Sequence, residues 1–324
     1  MHDNVRAFWI AAPGHGEIRD EPLGPLSDGD VLVRTRYSGI SRGTESLVFN
    51  GRVPGTEWDR MRGPFQAGHF PAPVKYGYSC VGVVERGPAS LVGRDVFVLH
   101  PHQTRFIVPA HAAHPVPDQV PAGRAVLTAN LETAINGLWD GQPHMGDRIA
   151  VVGAGVVGCL VAWLAAQIPG CLVELIDINS AKATAAATLG VEFRSGATAT
   201  RDVDLVIHTS GNPAGLATAL ELAGREARVV ELSWFGDQTV SLPLGGAFHS
   251  RRLTLVSSQV GSLPPSQRVR WDTTRRMRLA LSLLADEALD VLFTGTSAFE
   301  DLPRAMATLA TAPGDALCHR ITYS

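Results

Sequence analysis

The sequence predicts an α/β protein in which a doubly wound parallel sheet is joined to a β-rich domain. Three observations support this fold class. A glycine-rich turn separates a β-branched run from a helical run in mid-chain, and further β-like runs follow it at the spacing of βα units. Short β-like runs divided by Gly and Pro turns occupy the first 130 residues. The length of 324 residues is sufficient for two domains.

Composition narrows the class of protein before any motif is considered. The chain is 45% hydrophobic and 18% charged with a formal net charge of -3, which is typical of a soluble globular protein and favours neither nucleic acid nor a membrane surface as partner. The four cysteines are widely spaced and form no C-x-x-C pair, so neither a zinc ribbon nor a disulfide framework is indicated. With no signal-peptide layout at the start, these features predict a cytoplasmic protein.

Residues 149–168 carry no charge and have the length of a membrane-spanning helix. Their pattern changes along the stretch, however. Residues 148–152 are β-branched and resemble a buried parallel strand, whereas residues 158–167 favour helix and are stopped by Pro169 and Gly170. We therefore predict strand, turn and helix in place of a membrane helix.

The turn itself predicts a dinucleotide site. Gly153 permits a tight turn, Gly155 lets the backbone approach a pyrophosphate, and Gly158 lets the helix pack on the strand. A second predicted strand, residues 172–176, ends at Asp177, 24 residues after Gly153. A carboxylate there binds both ribose hydroxyls of NAD and repels the extra phosphate of NADP. The alternative is a βαβ unit without nucleotide.

The remaining elements predict a discontinuous outer domain around an inserted core. Further strands are predicted at 203–207, 228–232 and 253–257. The tail is predicted to form a helix near 272–285, a strand-like run at 290–293, a second helix and a last strand at 316–322. We assign residues 131–261 to the nucleotide-binding domain and residues 1–130 with 262–324 to the outer domain.

Several short motifs together carry a family resemblance. They are residues 29–33, Ser38-Gly39-Ile40, residues 77–84 and 93–96, the glycine turn and residues 177–179. In this order they resemble the medium-chain dehydrogenase/reductase superfamily, which contains the zinc alcohol dehydrogenases. The segment Ser-Gly-Ile-Ser-Arg-Gly-Thr-Glu (38–45) and the pair Gly77-Tyr78 are similar to the bacteriochlorophyllide hydroxyethyl dehydrogenase subgroup. The resemblance implies a Rossmann domain for NAD(H) and a GroES-like catalytic domain.

The resemblance also implies where catalytic zinc would bind, and this chain lacks the ligands. Ser41, Tyr78 and Ala129 occupy the positions at which zinc relatives have ligands, with Glu132 near the third. Zinc requires thiolate, imidazole or carboxylate donors, so we predict a zinc-free member. A non-standard metal site is the alternative, with candidate ligands His69, His100, His102, Glu45 and Glu132.

Two hydroxyls are candidates to polarise the substrate carbonyl in place of a metal. By the resemblance, Thr44 lies where relatives have a proton-relaying Ser or Thr, Tyr78 lies at a metal-ligand position, and Glu45 lies at a supporting acid position. We expect the substrate oxygen between the Thr44 and Tyr78 hydroxyls above the nicotinamide, with Ser41 as a further candidate. The alternative for Tyr78 is a packed aromatic residue.

The resemblance further implies cofactor contacts at the ends of the core strands. Besides the glycines and Asp177, the expected cofactor-binding residues are Val156, Val157, Ile178, Lys182, Ser210, Ser233 and Ser258. Lys182 has the alternative of a solvated helix residue. We expect His102 and Trp234 to contact the substrate.

The predicted function is an NAD(H)-dependent oxidoreductase that interconverts a secondary alcohol and a ketone or aldehyde without catalytic zinc. The alternatives are an NAD-binding sensor without catalysis and a dehydrogenase with a non-standard zinc site. Residues 268–278 carry five arginines, a basic run that fits a solvated helix face or, as the alternative, a site for an anionic substrate. We expect a homodimer paired through the apolar edge strand at 253–258.

Overall fold

The computed structural model describes residues 4–324. Its β-strands are β1 Asn4–Ala12, β2 His15–Pro22, β3 Asp30–Ile40, β4 Ala67–Gly68, β5 Val74–Lys75, β6 Cys80–Arg86, β7 Asp95–Val98, β8 Arg105–Pro109, β9 His114–Pro115, β10 Arg148–Val152, β11 Leu172–Ile176, β12 Glu192–Arg194, β13 Val203–His208, β14 Ala223–Glu231, β15 Thr254–Ser257, β16 Phe293–Ala298 and β17 Cys318–Thr322. Its α-helices are α1 Arg42–Phe49, α2 Thr128–Gly141, α3 Val156–Ala166, α4 Ala183–Thr188, α5 Pro213–Leu222, α6 Thr273–Leu283 and α7 Leu302–Thr311. Single turns of 3₁₀ or π helix lie at Gly55–Glu57, Ala110–Ala112, Ala125–Leu127, Ser180–Lys182, Leu244–Phe248, Glu287–Leu292 and Phe299–Asp301.

The chain forms two compact units, and the inserted unit is Asn130–Arg276. Its six-stranded parallel sheet has the order β12-β11-β10-β13-β14-β15. From the central β10 the chain proceeds outward through β11 and β12, then returns to pair β13 on the other side. This reversal at β10 and β13 is the topological switch point at which doubly wound sheets bind ligands, so the fold class is confirmed. Valines of the sheet pack with leucines of α5 in the core beneath one face.

The other unit contains the residues up to Ala129 together with Met277–Ser324. It has a four-stranded sheet, β2-β1-β5-β4, and a larger sheet ordered β16-β17-β3-β6-β7-β9, with β8 also paired to β3. Valines of β3, β6 and β7 pack in a core with Phe106 of β8. This β-rich architecture matches the predicted second domain.

Two details differ from the sequence prediction. Residues 262–276, which we had assigned to the outer domain, lie in the inserted unit. The predicted strand-like run at 290–293 is mostly a 3₁₀ helix, Glu287–Leu292, and β16 begins only at Phe293. Asp286 explains the difference, because its side chain accepts a hydrogen bond from the Ala288 N–H and starts the turn.

The uncharged stretch folds as predicted into β10, a glycine turn and the 11-residue α3. Within residues 4–324, no helix is both long and apolar enough to cross a membrane. The cysteines are all unpaired thiols.

Candidate functional site

The glycine turn after β10 is closed so tightly that side chains are excluded. Gly153 has φ +110, and a Cβ there would lie 2.6 Å from the backbone nitrogen of Ser210. A Cβ at Gly158 would lie 1.8 Å from the Gly153 carbonyl oxygen. The turn and the first helical turn therefore form a cradle lined by backbone, which fits the pyrophosphate of a dinucleotide.

The start of α3 presents backbone N–H groups at this cradle. Gly155 is the N-cap residue in an extended conformation, and no side chain caps the helix. The first-turn N–H groups of an uncapped helix carry partial positive charge. Val156 and Val157 follow in half-buried positions. These features suit an anionic group of a ligand.

Asp177 lies at the end of β11 beside the cradle. One carboxylate oxygen accepts the Ala154 N–H at 2.7 Å and the other accepts the Asn179 N–H at 2.9 Å. Each oxygen retains a further lone pair, so the carboxylate remains able to accept ribose hydroxyls. Ile178 is fully exposed at 100%, which leaves an apolar surface next to the carboxylate. Lys182 is buried at 8% exposure, so it is not the solvated residue of the alternative interpretation.

The other predicted cofactor residues lie at the ends of the neighbouring strands. Ser210 follows β13, Ser233 follows β14 and Ser258 follows β15. The Ser233 hydroxyl accepts the Gly211 N–H at 3.0 Å, and the Ser258 hydroxyl lies 3.3 Å from the amide nitrogen of Asn136. Trp234 is half-buried in the loop after β14. All three hydroxyls therefore lie at the carboxyl edge of the parallel sheet.

In the β-rich unit, Glu45 is the centre of a buried polar cluster. Ser41 is the N-cap of α1 and Glu45 is the fourth residue of the helix, and the Glu45 carboxylate reaches back to accept the Ser41 N–H at 2.7 Å. The other carboxylate oxygen lies 2.9 Å from Nε2 of His102. Glu45 is 2% exposed and His102 is 1% exposed, so the pair is shielded from solvent.

His102 is placed differently from the prediction that it contacts substrate. Its Nδ1 lies 2.7 Å from the Ser38 hydroxyl, which in turn lies 2.9 Å from the Tyr323 hydroxyl. Gly77 packs on the ring, where a Cβ would lie 2.8 Å from Cδ2. Because both ring nitrogens are engaged and the ring is buried, His102 supports Glu45 and has no free atom for a substrate.

The Tyr78 hydroxyl belongs to the same polar cluster. Side-chain hydrogen bonds link it to Ser41 and Thr44, and its ring is half-buried. Burial raises the pKa of Tyr78 to about 12, with the nearby Glu45 charge acting in the same direction. The phenol therefore remains a hydrogen-bond donor at neutral pH. Tyr76 packs edge-on against the ring with centroids 6.0 Å apart.

The positions expected for zinc ligands hold a donor set that does not fit zinc. Ser41 and Tyr78 bond to each other, and Ala129 has no donor atom. Glu132 is occupied by Arg276 at 3.0 Å, and burial raises the pKa of its carboxyl while Arg276 opposes the shift. Over residues 4–324, no group of three or more His, Cys, Asp and Glu side chains is arranged to hold a metal ion.

The histidines of the alternative metal site have other roles. His100 is stacked on Phe106 with centroids 3.8 Å apart, and its Nδ1 lies 2.8 Å from the Pro101 carbonyl oxygen. Burial lowers the pKa of His100 to about 3, so the ring is neutral and packed. His69 is exposed to solvent.

One of the five arginines in residues 268–278 has a role that the sequence did not predict. Arg276 is 2% exposed and donates to Glu132, to the Asn136 side chain at 2.5 Å and to the Val260 carbonyl at 2.6 Å. The adjacent Arg275 is exposed, as expected for a solvated face. The position of Arg276 in α6 could have indicated its burial, because it directly precedes Met277, which lies on the apolar face of the helix and is buried.

A second missed pair is His208 and Glu231, which end adjacent strands. They are paired in register between β13 and β14, and Nδ1 of His208 lies 2.7 Å from a Glu231 carboxylate oxygen. On the other side of the ring, Nε2 lies 2.6 Å from the Ser210 hydroxyl. The sequence contains no signal for the pairing of these two side chains, because each residue is predicted only to end a strand.

The known proteins that are similar to this chain include several dehydrogenases. No family model matches the chain. The sequence is similar to an uncharacterized zinc-type alcohol dehydrogenase-like protein of Haemophilus influenzae, with 24% identity over 270 residues covering 72% of this chain and 78% of the relative. It is also similar to 2-desacetyl-2-hydroxyethyl bacteriochlorophyllide A dehydrogenase of Cereibacter sphaeroides, with 28% identity over 180 residues covering 49% and 52%.

Solved structures share the fold over almost the whole chain. A short chain alcohol dehydrogenase (rspB) from E. coli complexed with NADH superposes with a TM-score of 0.78 at 18% identity, covering 98% of this chain and 99% of that chain. A putative zinc-binding dehydrogenase from Sinorhizobium meliloti bound to NADP gives a TM-score of 0.79 at 17% identity, covering 99% of each. The predicted resemblance to the zinc alcohol dehydrogenase-like superfamily is confirmed.

Proposed function

We propose that this homologue of the medium-chain dehydrogenases is an NAD(H)-dependent oxidoreductase that interconverts a secondary alcohol and a ketone or aldehyde without catalytic zinc. The observation that carries the proposal is the Tyr78 hydroxyl, which is hydrogen-bonded to Ser41 and Thr44 at positions where the resemblance implies metal ligands and a proton relay. A neutral phenol in that position supplies the donor that a carbonyl oxygen requires.

The cofactor assignment is supported by the cradle and by Asp177. Side chains are excluded at Gly153 and Gly158, as close approach of a pyrophosphate requires. The carboxylate of Asp177 lies beside the turn with free lone pairs for ribose hydroxyls and would repel a 2′-phosphate, which favours NAD(H). Structural neighbours that carry NADH or NADP support a nicotinamide dinucleotide of either kind. When bound, the nicotinamide supplies or accepts the hydride.

The residues of the β-rich unit then handle the substrate oxygen and its proton. Tyr78 donates a hydrogen bond to the oxygen as negative charge develops there, and Thr44 provides a second hydroxyl for the same atom. Glu45 fixes Ser41 through the α1 cap, and His102 holds the Glu45 carboxylate in place from the other side. We propose these as positioning contacts for the hydroxyl cluster.

Zinc independence is supported by the chemistry of the donor set. The hydroxyls of Ser41 and Tyr78 are poor zinc ligands, and Ala129 offers none. Glu132, the nearest carboxylate to the third position, is already neutralised by Arg276. In place of a metal, a preorganised hydroxyl donor supplies about 2.7–4 kcal/mol of charge stabilisation.

We further propose a cytoplasmic homodimer. β15 is the edge strand of the six-stranded sheet, and Leu255 on it is 36% exposed, so the strand is available to pair with a second copy. The four unpaired cysteines agree with a reducing compartment.

The test is oxidation of NADH against a panel of ketones and aldehydes, with Tyr78→Phe as the matched variant. Turnover by the wild-type protein that falls in the variant supports the proposal. Tight binding of NADH without turnover on any carbonyl, or of NAD without turnover on any secondary alcohol, would favour the sensor without catalysis.

A further inference from the structure

Glu231, His208 and Ser210 form a linear hydrogen-bonded series that the proposed reaction does not use. Glu231 Oε2 lies 2.7 Å from His208 Nδ1, and His208 Nε2 lies 2.6 Å from Ser210 Oγ. His208 is 0% exposed, and the Phe235 ring lies nearly parallel to it with centroids 6.2 Å apart. The series runs from the half-buried Glu231 through the buried His208 ring to the exposed Ser210.

The position of Ser210 is fixed from several sides. Its backbone nitrogen lies against Gly153 of the glycine turn. A Cβ at Gly215 would lie 2.3 Å from Ser210 Oγ, so the start of α5 also packs against the hydroxyl. Ser210 lies just beyond the end of β13, which with β10 defines the switch point of the sheet, and therefore faces the crevice in which a dinucleotide would bind.

Hydrogen accounting gives the polarity of the series. With His208 as a neutral ring beside a Glu231 carboxylate, which only accepts hydrogen bonds, the ring hydrogen lies on Nδ1 and Nε2 carries a lone pair. The Ser210 hydroxyl must then donate its hydrogen to Nε2. Ser210 Oγ also accepts the Asn212 N–H at 3.2 Å. One lone pair of Ser210 Oγ remains, and no hydrogen is left to donate outward.

The remaining contacts strengthen this arrangement. The second Glu231 oxygen accepts the Ser233 N–H at 2.6 Å, which fixes the carboxylate. The Ser233 hydroxyl lies 3.4 Å from His208 Nδ1, a longer contact than that of Glu231, and accepts the Gly211 N–H. The loops after β13 and β14 are thereby tied to one another around the ring.

We propose that Glu231 and His208 are positioning residues that make Ser210 Oγ a hydrogen-bond acceptor for a ribose hydroxyl of the bound dinucleotide. The proposal rests on the proposed function, since it requires that a nicotinamide dinucleotide occupies the crevice. It adds the direction of the hydrogen bond: a sugar hydroxyl that donates is bound, whereas a phosphate oxygen, which only accepts, is repelled by Ser210.

The experiment is a double-mutant cycle read by NADH affinity in the absence of substrate. The variants are Ser210→Ala, His208→Asn and the double variant, titrated by calorimetry. Asn retains a group at the Nδ1 position for Glu231 but loses the Nε2 contact with Ser210. Each single variant is expected to weaken NADH binding about 5-fold, the value of one neutral hydrogen bond of about 1 kcal/mol. The double variant is expected to match the singles, because His208 acts through Ser210.

Controls separate this role from general loss of structure. Thr188→Ala removes a hydroxyl that bonds only within α4 and should leave NADH affinity unchanged. If His208→Asn fails to fold, Glu231→Gln takes its place in the cycle, because the neutral amide no longer fixes the ring hydrogen on Nδ1. Among NADH analogues that each lack one ribose hydroxyl, one should bind equally to wild type and Ser210→Ala.

The outcomes are distinct. If the wild-type protein binds no NADH, the proposed function and this inference both fail. If wild type binds NADH and Ser210→Ala binds it equally well, or the losses in the cycle add to about 25-fold, the inference alone is overturned. Covalent labelling of Ser210 by a fluorophosphonate, detected by mass spectrometry, would also overturn it, since the hydroxyl would then be an activated nucleophile.

Discussion

Replacing Tyr78 by Phe removes a single hydroxyl from the β-rich unit and tests the proposed chemistry directly. The hydroxyl bonds to Ser41 and Thr44, and burial raises its pKa to about 12. A pH of 7 therefore lies about five units below the pKa of Tyr78, and the phenol is fully protonated. Loss of one preorganised donor to a developing oxyanion costs about 2.7–4 kcal/mol, or 100- to 1000-fold in rate. Because the Thr44 hydroxyl remains, we expect a fall in kcat of about 100-fold.

The assay is steady-state reduction of a carbonyl substrate by NADH, with NADH affinity measured separately. The affinity should be unchanged, since Tyr78 and the glycine cradle belong to different units. Tyr76→Phe is the matched control: it removes a buried phenol that packs edge-on against the same ring, and should retain kcat. Thr44→Val should lower kcat to a similar extent as Tyr78→Phe.

The pH dependence provides a second readout. A pKa raised to about 12 keeps the donor in place through neutral and moderately alkaline pH, and the donor is lost only as pH rises through that value. Wild-type kcat in Tyr78→Phe would refute the catalytic role and leave the residue as a packing element. Wild-type rates in both Tyr78→Phe and Thr44→Val would refute the mechanism.

Three further predictions concern cofactor choice, metal content and acid stability. Asp177→Ala should narrow the preference for NADH over NADPH, measured by calorimetry, because the carboxylate that opposes a 2′-phosphate is gone; tighter NADPH binding by wild type would contradict this. Elemental analysis should find no stoichiometric zinc, and one tightly held zinc per chain with activity lost to chelators would be inconsistent with the donor set of Ser41 and Tyr78. The pKa of His100 is lowered to about 3, below its unfolded value near 6.5, so the free energy of unfolding should fall by up to about 1.4 kcal/mol per pH unit as pH drops below 6.5. In urea titrations across this range, His100→Phe should reduce that slope, and an unchanged slope would show that the ring is not the group responsible.

The first two strands of the parallel sheet and the glycine turn between them were predictable because their signals are local. The glycines at 153, 155 and 158 and the β-branched runs around them report backbone geometry at the positions where they occur. β10 and β11 accordingly have the predicted bounds. The position of Asp177 directly after β11 was predictable for the same reason, since the end of a strand fixes where the next side chain lies.

The polar networks were not predictable because their members are distant in sequence. His102 and Glu45 are separated by 57 residues, and His102 reaches Tyr323 only through Ser38. Periodicity and motif spacing carry no information about such pairings. His102 was consequently assigned to substrate contact, whereas burial and two engaged nitrogens make it a support for Glu45.

The pairing of Glu132 with Arg276 shows why a carboxylate in sequence is weak evidence for a metal. A buried carboxylate requires a counter-charge, and either a cation or a guanidinium can supply it. Here Arg276 supplies it at 3.0 Å and uses its other nitrogens on Asn136 and the Val260 carbonyl. The guanidinium also ties the chain after β15 to α2, and Ser258 is held to the same helix through Asn136. Zinc ligands are lacking at the positions of Ser41 and Tyr78, and Glu132, the acid near the third ligand position, is neutralised by Arg276 of its own unit. The two observations agree, because a site without zinc needs another cation beside that buried carboxylate.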